Sequence, residues 1–225
     1  ELDNDPYNIA ISALQKYIEE YPTSIRKNEA QELILNLLMI SSNYQRVIDI
    51  IEQLPKKNLT IENMYQRACL NQALLDFKDR QYNKSILNLN KAINYGTDRK
   101  LKAKAIFWKG ESFYTLGRYD SALVNYQTFI NYGPSKDLPE YNKGYYNLGY
   151  SYLQNNKYSL AVDAFRQFIA LSENEPVNIK FDAYLRYADA LLLNKNIDEA
   201  AKIYKKVIDD YPLKADYAYL SYAKI

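Results

Sequence analysis

One pattern limits what this chain can fold into more than any other feature. A string of Tyr, a small residue and two apolar or aromatic residues, at offsets of 3, 4 and 3, recurs along its length. It reads Tyr7/Ala10/Leu14/Tyr17, Tyr44/Val47/Ile51/Leu54, Tyr82/Ser85/Leu89/Ala92, Tyr119/Ala122/Tyr126/Phe129, Tyr158/Ala161/Phe165/Phe168 and Ile197/Ala200/Tyr204/Val207. The first members lie 37, 38, 37, 39 and 39 residues apart. Offsets of three and four put all four side chains on one face of an α-helix. A fixed period of this length marks a repeat array. Each string is therefore one amphipathic helix, helix B, the second of its repeat.

A second stripe precedes the last three strings: Ile106/Gly110/Phe113, Tyr145/Leu148/Gly149/Tyr152 and Tyr184/Tyr187/Ala188/Leu191. This is helix A. Its small residue (Gly110, Gly149, Ala188) falls 12 positions before that of helix B (Ala122, Ala161, Ala200), so small is expected to meet small where the helices cross. The chain holds only six glycines and seven prolines, and the prolines fall between the periodic segments or at their ends, where a missing N–H is tolerated. That distribution predicts an all-α protein. One repeat buries too few apolar side chains to offset the cost of ordering its backbone, so stability must come from stacking neighbours.

These residues resemble the tetratricopeptide repeat, whose pattern of aromatic, Leu-Gly, Tyr, Ala, Phe and closing Pro is matched best by Ala103 to Lys136 and Asn142 to Glu175. The resemblance implies a right-handed helical-hairpin solenoid over residues 1–225, with a concave face lined by the A helices. Its register runs as a half repeat at 6–22, repeats starting near 28, 66, 103, 142 and 181, and a final helix at 214–225. Lys109 stands where the family prefers Leu. The second full repeat fits with an inter-helix turn one residue shorter, which puts Leu70, Ala73, Leu74 and Phe77 on its inner stripe. Three to five residues beyond the standard 34 are expected in the turns, most visibly at Lys136–Glu140. The terminal helices keep apolar faces, with Tyr217, Tyr219, Leu220 and Tyr222 on the last, so a fragment of a longer array that associates end to end is expected; the alternative is that residues 1–22 and 214–225 are caps with slightly apolar outer faces.

The segments Leu14 to Ser24, Tyr126 to Ser135 and Tyr204 to Pro212 share a closing Phe-Ile/Tyr-Pro style. It is similar to repeats of bacterial cell-envelope proteins, the outer-membrane assembly lipoprotein and the Tol-Pal-associated periplasmic factor. That likeness favours a periplasmic or cell-envelope location over the cytoplasm.

Composition removes several functions. Twenty-nine Lys and Arg against 27 Asp and Glu leave a net charge of +2, too little for a backbone-driven nucleic-acid binder. With no histidine and one cysteine, Cys69, the chain lacks Ser-His and Cys-His pairs, zinc ligand sets and an internal disulfide. Cys69 is expected in the core. Asp182/Asp189 and Glu29/Glu32 have no accompanying ligand cluster, so no metal, cofactor or catalytic group is expected, and no apolar run approaches the ~20 residues of a membrane span.

The family register places Lys104/Phe107/Glu111/Tyr114, Lys143/Tyr146/Tyr150/Leu153 and Asp182/Leu185/Asp189/Leu192 toward the groove. Phe107, Tyr114, Tyr146 and Tyr150 would form an aromatic strip suited to anchoring a peptide. The Tyr7, Tyr44, Tyr82, Tyr119 and Tyr158 series is expected to fill helix interfaces, and the basic run Arg99, Lys100, Lys102, Lys104 and Lys109 to be a solvated surface. The family's carboxylate clamp is matched at only two of five positions, Asn147 and Arg186, which argues against chaperone-tail binding. The reading is a non-catalytic scaffold binding a protein or peptide segment in its groove. The alternative is a glycan-binding accessory domain of the cell envelope that uses the same rings on a flat platform.

Overall fold

A computed structural model describes residues 6–225. They form twelve α-helices and two short 3-10 turns, with no strand among the described residues. The chain divides into two compact units, the first ending at Leu101 and the second running Lys102–Ile225. In the first unit lie α1 (Pro6–Glu20), α2 (Lys27–Ile40), α3 (Tyr44–Glu52), α4 (Leu59–Lys78) and α5 (Tyr82–Asn94). Helix α6 (Arg99–Thr115) begins at the end of that unit. The second continues with α7 (Tyr119–Asn131), α8 (Tyr141–Gln154), α9 (Tyr158–Leu171), α10 (Val177–Leu193), α11 (Ile197–Asp210) and α12 (Asp216–Tyr222). The 3-10 turns are Gly133–Asp137 and Pro212–Lys214. Prolines stand at helix starts or between helices, as their missing N–H requires.

Five of the recurring strings begin a helix at their first residue: Tyr44, Tyr82, Tyr119, Tyr158 and Ile197 open α3, α5, α7, α9 and α11. Their inner members form the core. Val47, Ile51, Ser85, Leu89, Ala92, Ala122, Tyr126, Phe129, Ala161, Phe165, Phe168, Ala200, Tyr204 and Val207 are each no more than 1% exposed. The first string departs from this, since α1 buries Ile11 while Tyr7 is exposed and Ala10, Leu14 and Tyr17 are only half-buried. The opening tyrosines of the later strings sit half-buried over the preceding turn. Tyr44 donates to the Ser42 hydroxyl at 3.2 Å and Tyr158 to Asn156 Oδ1 at 2.7 Å, while the rings of Tyr82 and Tyr119 meet Phe77 and Tyr114 edge-on, each at 5.2 Å.

Every A-to-B turn is closed in one way. A residue with positive φ (Ser42, Arg80, Gly117, Asn156 or Lys195) follows the A helix. The next residue's N–H then reaches back five positions: Asn43 to Leu38 O, Gln81 to Asp76 O, Arg118 to Phe113 O, Lys157 to Tyr152 O and Asn196 to Leu191 O, all at 2.7–2.9 Å. This is the Schellman closure, which satisfies carbonyls the helix leaves orphaned. Each such turn has three residues between the helices, so the additional length of the repeats lies in the B-to-A connections, such as 132–140, and in longer helices.

The turn after α4 has the same three residues, Asp79–Gln81, and the shorter turn expected in the second full repeat does not occur. The residues buried there are Cys69, Leu70, Ala73 and Asp76, with Leu74 and Phe77 only half-buried. Asp76 takes an apolar position because Gln72 and Asn88 donate to its carboxylate at 2.9 and 2.8 Å. Cys69 is fully buried, and burial pushes its thiol up to about 12. The glycines of helix A face rings instead of small residues. A Cβ added at Gly110 would lie 2.7 Å from the Tyr126 ring, and one at Gly149 2.8 Å from the Phe165 ring.

Candidate binding face

The A helices of the second unit, α6, α8 and α10, carry a run of polar and aromatic side chains linked from one repeat to the next. Two offsets organise it. Within a hairpin, a residue of helix A meets the helix B residue fifteen positions later: Tyr126 donates to Glu111 and Tyr204 to Asp189, while Tyr150 packs edge-on against Phe165 at 5.6 Å. Between repeats, thirty-six positions separate the partners. Asn147 donates to Glu111, Arg186 Nε to the Tyr150 hydroxyl at 3.2 Å, and Tyr146 to Asp182 at 2.7 Å.

Asp182 also accepts from Tyr150 and lies 3.5 Å from Arg186 Nε. Asp189 accepts from Arg186 Nη1 at 2.7 Å, from Tyr204 at 2.6 Å and from Tyr217 of α12 at 3.2 Å. Arg186 thus neutralises two carboxylates at once. Glu111 is different: both of its donors, Tyr126 and Asn147, converge on Oε1. Burial pushes its carboxyl above the ordinary value, against the Tyr126 hydrogen bond and the field of Lys143, which pull it down. Burial likewise raises the phenols around it, Tyr150 to about 12.

A pocket of about 260 Å³ opens among Glu111, Tyr114, Tyr126, Tyr146, Asn147 and Tyr150. Farther along the face, Leu153, Arg186, Asp189, Leu192, Tyr204 and Tyr217 help to line a hollow of about 490 Å³. A larger hollow, about 770 Å³, lies in the first unit along α2 and the start of α4. Its walls are side chains such as Lys27, Gln31, Glu32, Gln53 and Lys56 and include no aromatic ring, so it has less to hold a ligand with.

Most of the side chains expected in the groove lie on this face, and two do not. Glu111, Tyr114, Tyr146 and Tyr150 meet at one pocket, while Leu153 and Asp189 line the next. Lys143 is exposed, and Asp182 anchors the two tyrosines. Lys104 pairs with Glu140 at 3.6 Å. Phe107 is only 3% exposed, enclosed by Trp108, Tyr126 and Phe129 at 5.9, 6.0 and 5.2 Å, and Leu185 is equally inaccessible at 5%. Both hold the register position of Tyr146 but carry no polar tip to reach the next repeat, so they remain in the hydrophobic interior. The expected aromatic strip therefore consists of Tyr114, Tyr146 and Tyr150. Lys109 also departs from a solvated surface: it is half-buried over the Phe113 ring at 5.9 Å, and burial lowers its pKa.

Residues 107–176 and 146–215 match the tetratricopeptide repeat family in two overlapping segments. Over residues 107–215 the chain is similar to tetratricopeptide repeats. Among solved structures, YrrB, a TPR protein with an unusual peptide-binding site, is 17% identical over 96% of this chain and 100% of its own, with a TM-score of 0.60. A crystal structure of MamA is 18% identical over 93% of this chain and 96% of its own, TM-score 0.59. A MamA segment beginning at its position 41, from Desulfovibrio magneticus RS-1, is 14% identical over 66% of this chain and 76% of its own, TM-score 0.56. At these identities the likeness is one of fold. No curated protein sequence matches the chain. On this face the side chains that sequence reasoning missed are Tyr126, Tyr204 and Tyr217. Asn147 and Arg186, the two matches to the carboxylate clamp, serve the chain's own carboxylates.

Proposed function

We propose that this chain is a non-catalytic interaction scaffold whose face formed by α6, α8 and α10 binds an extended segment of a protein partner. The observation that carries the reading is the pocket of about 260 Å³, which draws side chains from two successive A helices and has four tyrosines in its walls. Rigid rings with fixed hydroxyls anchor a partner at low entropic cost. The peptide-binding site of YrrB, a protein of the same fold, supports the same use of such repeats.

The glycan alternative has less support. Sugar stacking needs a flat platform, whereas the Tyr146 and Tyr150 rings meet at 66° and pack edge-on or tilted against Phe165 and Phe168. The cell-envelope assignment rests on the Tyr-Pro closures of the repeats, and fractionation of the source cell tests it.

A random peptide library panned against the intact chain tests the binding reading. Enrichment of peptides that bind wild type and the Tyr44→Ala variant, but lose affinity for Tyr114→Ala with an unchanged circular dichroism spectrum, is the expected result. No enrichment above bare support, or undiminished binding by Tyr114→Ala, overturns it.

A further inference from the structure

The three acidic side chains on the face are treated unequally. Asp182 and Asp189 share the Arg186 guanidinium, at 3.5 and 2.7 Å. Glu111 sits deeper, among Tyr114, Tyr126, Tyr146 and Tyr150, and among the described residues no cation lies within ion-pair distance of it. Its two donors share Oε1, and Oε2 accepts from no group of the described residues. Glu111 is half-buried, and a carboxylate largely withdrawn from water with no counter-ion beside it is costly, so a cation entering the pocket would be favoured.

We propose that the Glu111 pocket receives the ammonium or guanidinium of a lysine or arginine side chain from the bound segment. This rests on the scaffold reading of the same face. The chemistry of the pocket suits a cation throughout. Oε2 of Glu111 has an open acceptor site, and the four tyrosines in the walls bring electron-rich rings and phenol oxygens, groups that attract positive charge. At about 260 Å³ the pocket falls below the usual range for a whole small-molecule ligand and fits one side chain. Lys143, whose field reaches Glu111, is exposed and competes with the incoming group for the carboxylate.

The test uses the intact chain and a fluorescein-labelled peptide synthesised from the sequence enriched by panning. Replacing each basic residue in turn by an uncharged isostere, norleucine for lysine or citrulline for arginine, should weaken binding at one position by at least about tenfold. Glu111→Gln should weaken the parent peptide to a similar extent, and should add little to the loss already shown by the isostere peptide. Lys143→Ala should leave affinity unchanged or tighten it. Because the isosteres leave the protein untouched, they report even if a variant folds poorly. An enriched peptide with no basic residue, or isosteres that bind as well as the parent, overturns this inference and leaves the scaffold reading standing. Failure to enrich any peptide overturns both.

Discussion

Tyr204 donates a 2.6 Å hydrogen bond to Asp189 across the hairpin of α10 and α11, with its ring only 1% exposed. The same fifteen-residue link joins Tyr126 to Glu111, and in the repeat between them Tyr150 and Phe165 replace the acid and its phenol with two rings. Helix A and helix B therefore choose their residues as pairs: acid with tyrosine, or tyrosine with phenylalanine.

Removing the hydroxyl in Tyr204→Phe should lower stability by about 1.5–3 kcal/mol, the usual worth of a hydrogen bond to a charged group, with little change in packing. Chemical denaturation measures it. A change below about 0.5 kcal/mol would mean that Arg186 and Tyr217 satisfy Asp189 without it.

Gly149→Ala places a methyl 2.8 Å from the ring of Phe165, which is fully buried and has no room to retreat. A loss of about 1–3 kcal/mol is expected. Gly133→Ala, where an added Cβ has nothing within 4 Å, is the control and should stay within about 0.5 kcal/mol. Equal thermal melts for the two variants would contradict the packing described for the α8–α9 hairpin.

Lys195 closes the α10–α11 turn at φ +65°, where Gly117 does the same work after α6 at φ +72°. An L-residue in this region pays a steric penalty that glycine escapes, partly offset by glycine's greater freedom when unfolded. Lys195→Gly should therefore stabilise the fold by about 0.5–1 kcal/mol in a thermal melt. Destabilisation would show that the lysine side chain contributes more than its backbone strain removes.

Glu111→Gln keeps an acceptor for Tyr126 and Asn147 while removing a buried charge. The folded-state pKa of Glu111 is raised above the ordinary 4.5, chiefly by burial. Stability linked to this proton is thus fully present below the unfolded value and is lost as pH rises through the folded one. The variant should melt at or above wild type at pH 7, and its advantage should shrink as pH falls through the raised folded value and be gone below the unfolded one, about 4.5. A deficit at pH 7 that shrinks on acidification would reverse the sign and contradict the burial argument.

Local signals carried most of the fold. Tyr44, Tyr82, Tyr119 and Tyr158 mark the first residue of their helices, and the offsets that follow name the buried face correctly because periodicity of three and four is a property of the helix itself. Position 76 defeated the same reasoning, since Leu74 and Phe77 are the more apolar residues and only Gln72 and Asn88, brought together by the fold, make a buried Asp76 tolerable. Gly110 and Gly149 were legible as close-approach sites, but their neighbours were not, because which residue of helix B lies above a glycine depends on the crossing geometry. On the face, Phe107 and Tyr146 share a register position and separate by one hydroxyl, which lets Tyr146 reach Asp182 in the next repeat. The contacts at offsets fifteen and thirty-six are tertiary. Their one trace in the sequence is that Glu111 and Asp189 are each followed fifteen positions later by Tyr, whereas Tyr150 is followed by Phe.

Binding of a partner on the face of α6 and α8, at the Glu111 pocket, must perturb the tyrosines that line it. Tyrosine-selective isotope labelling of the intact chain, with NMR spectra recorded as the panned peptide is titrated in, tests it most directly. Resonances of Tyr114, Tyr146 and Tyr150 should shift in step with binding while those of Tyr44 and Tyr82 stay in place. Saturable shifts confined to Tyr44, Tyr82 and other tyrosines of the first unit, with Tyr114, Tyr146 and Tyr150 unmoved, would contradict it.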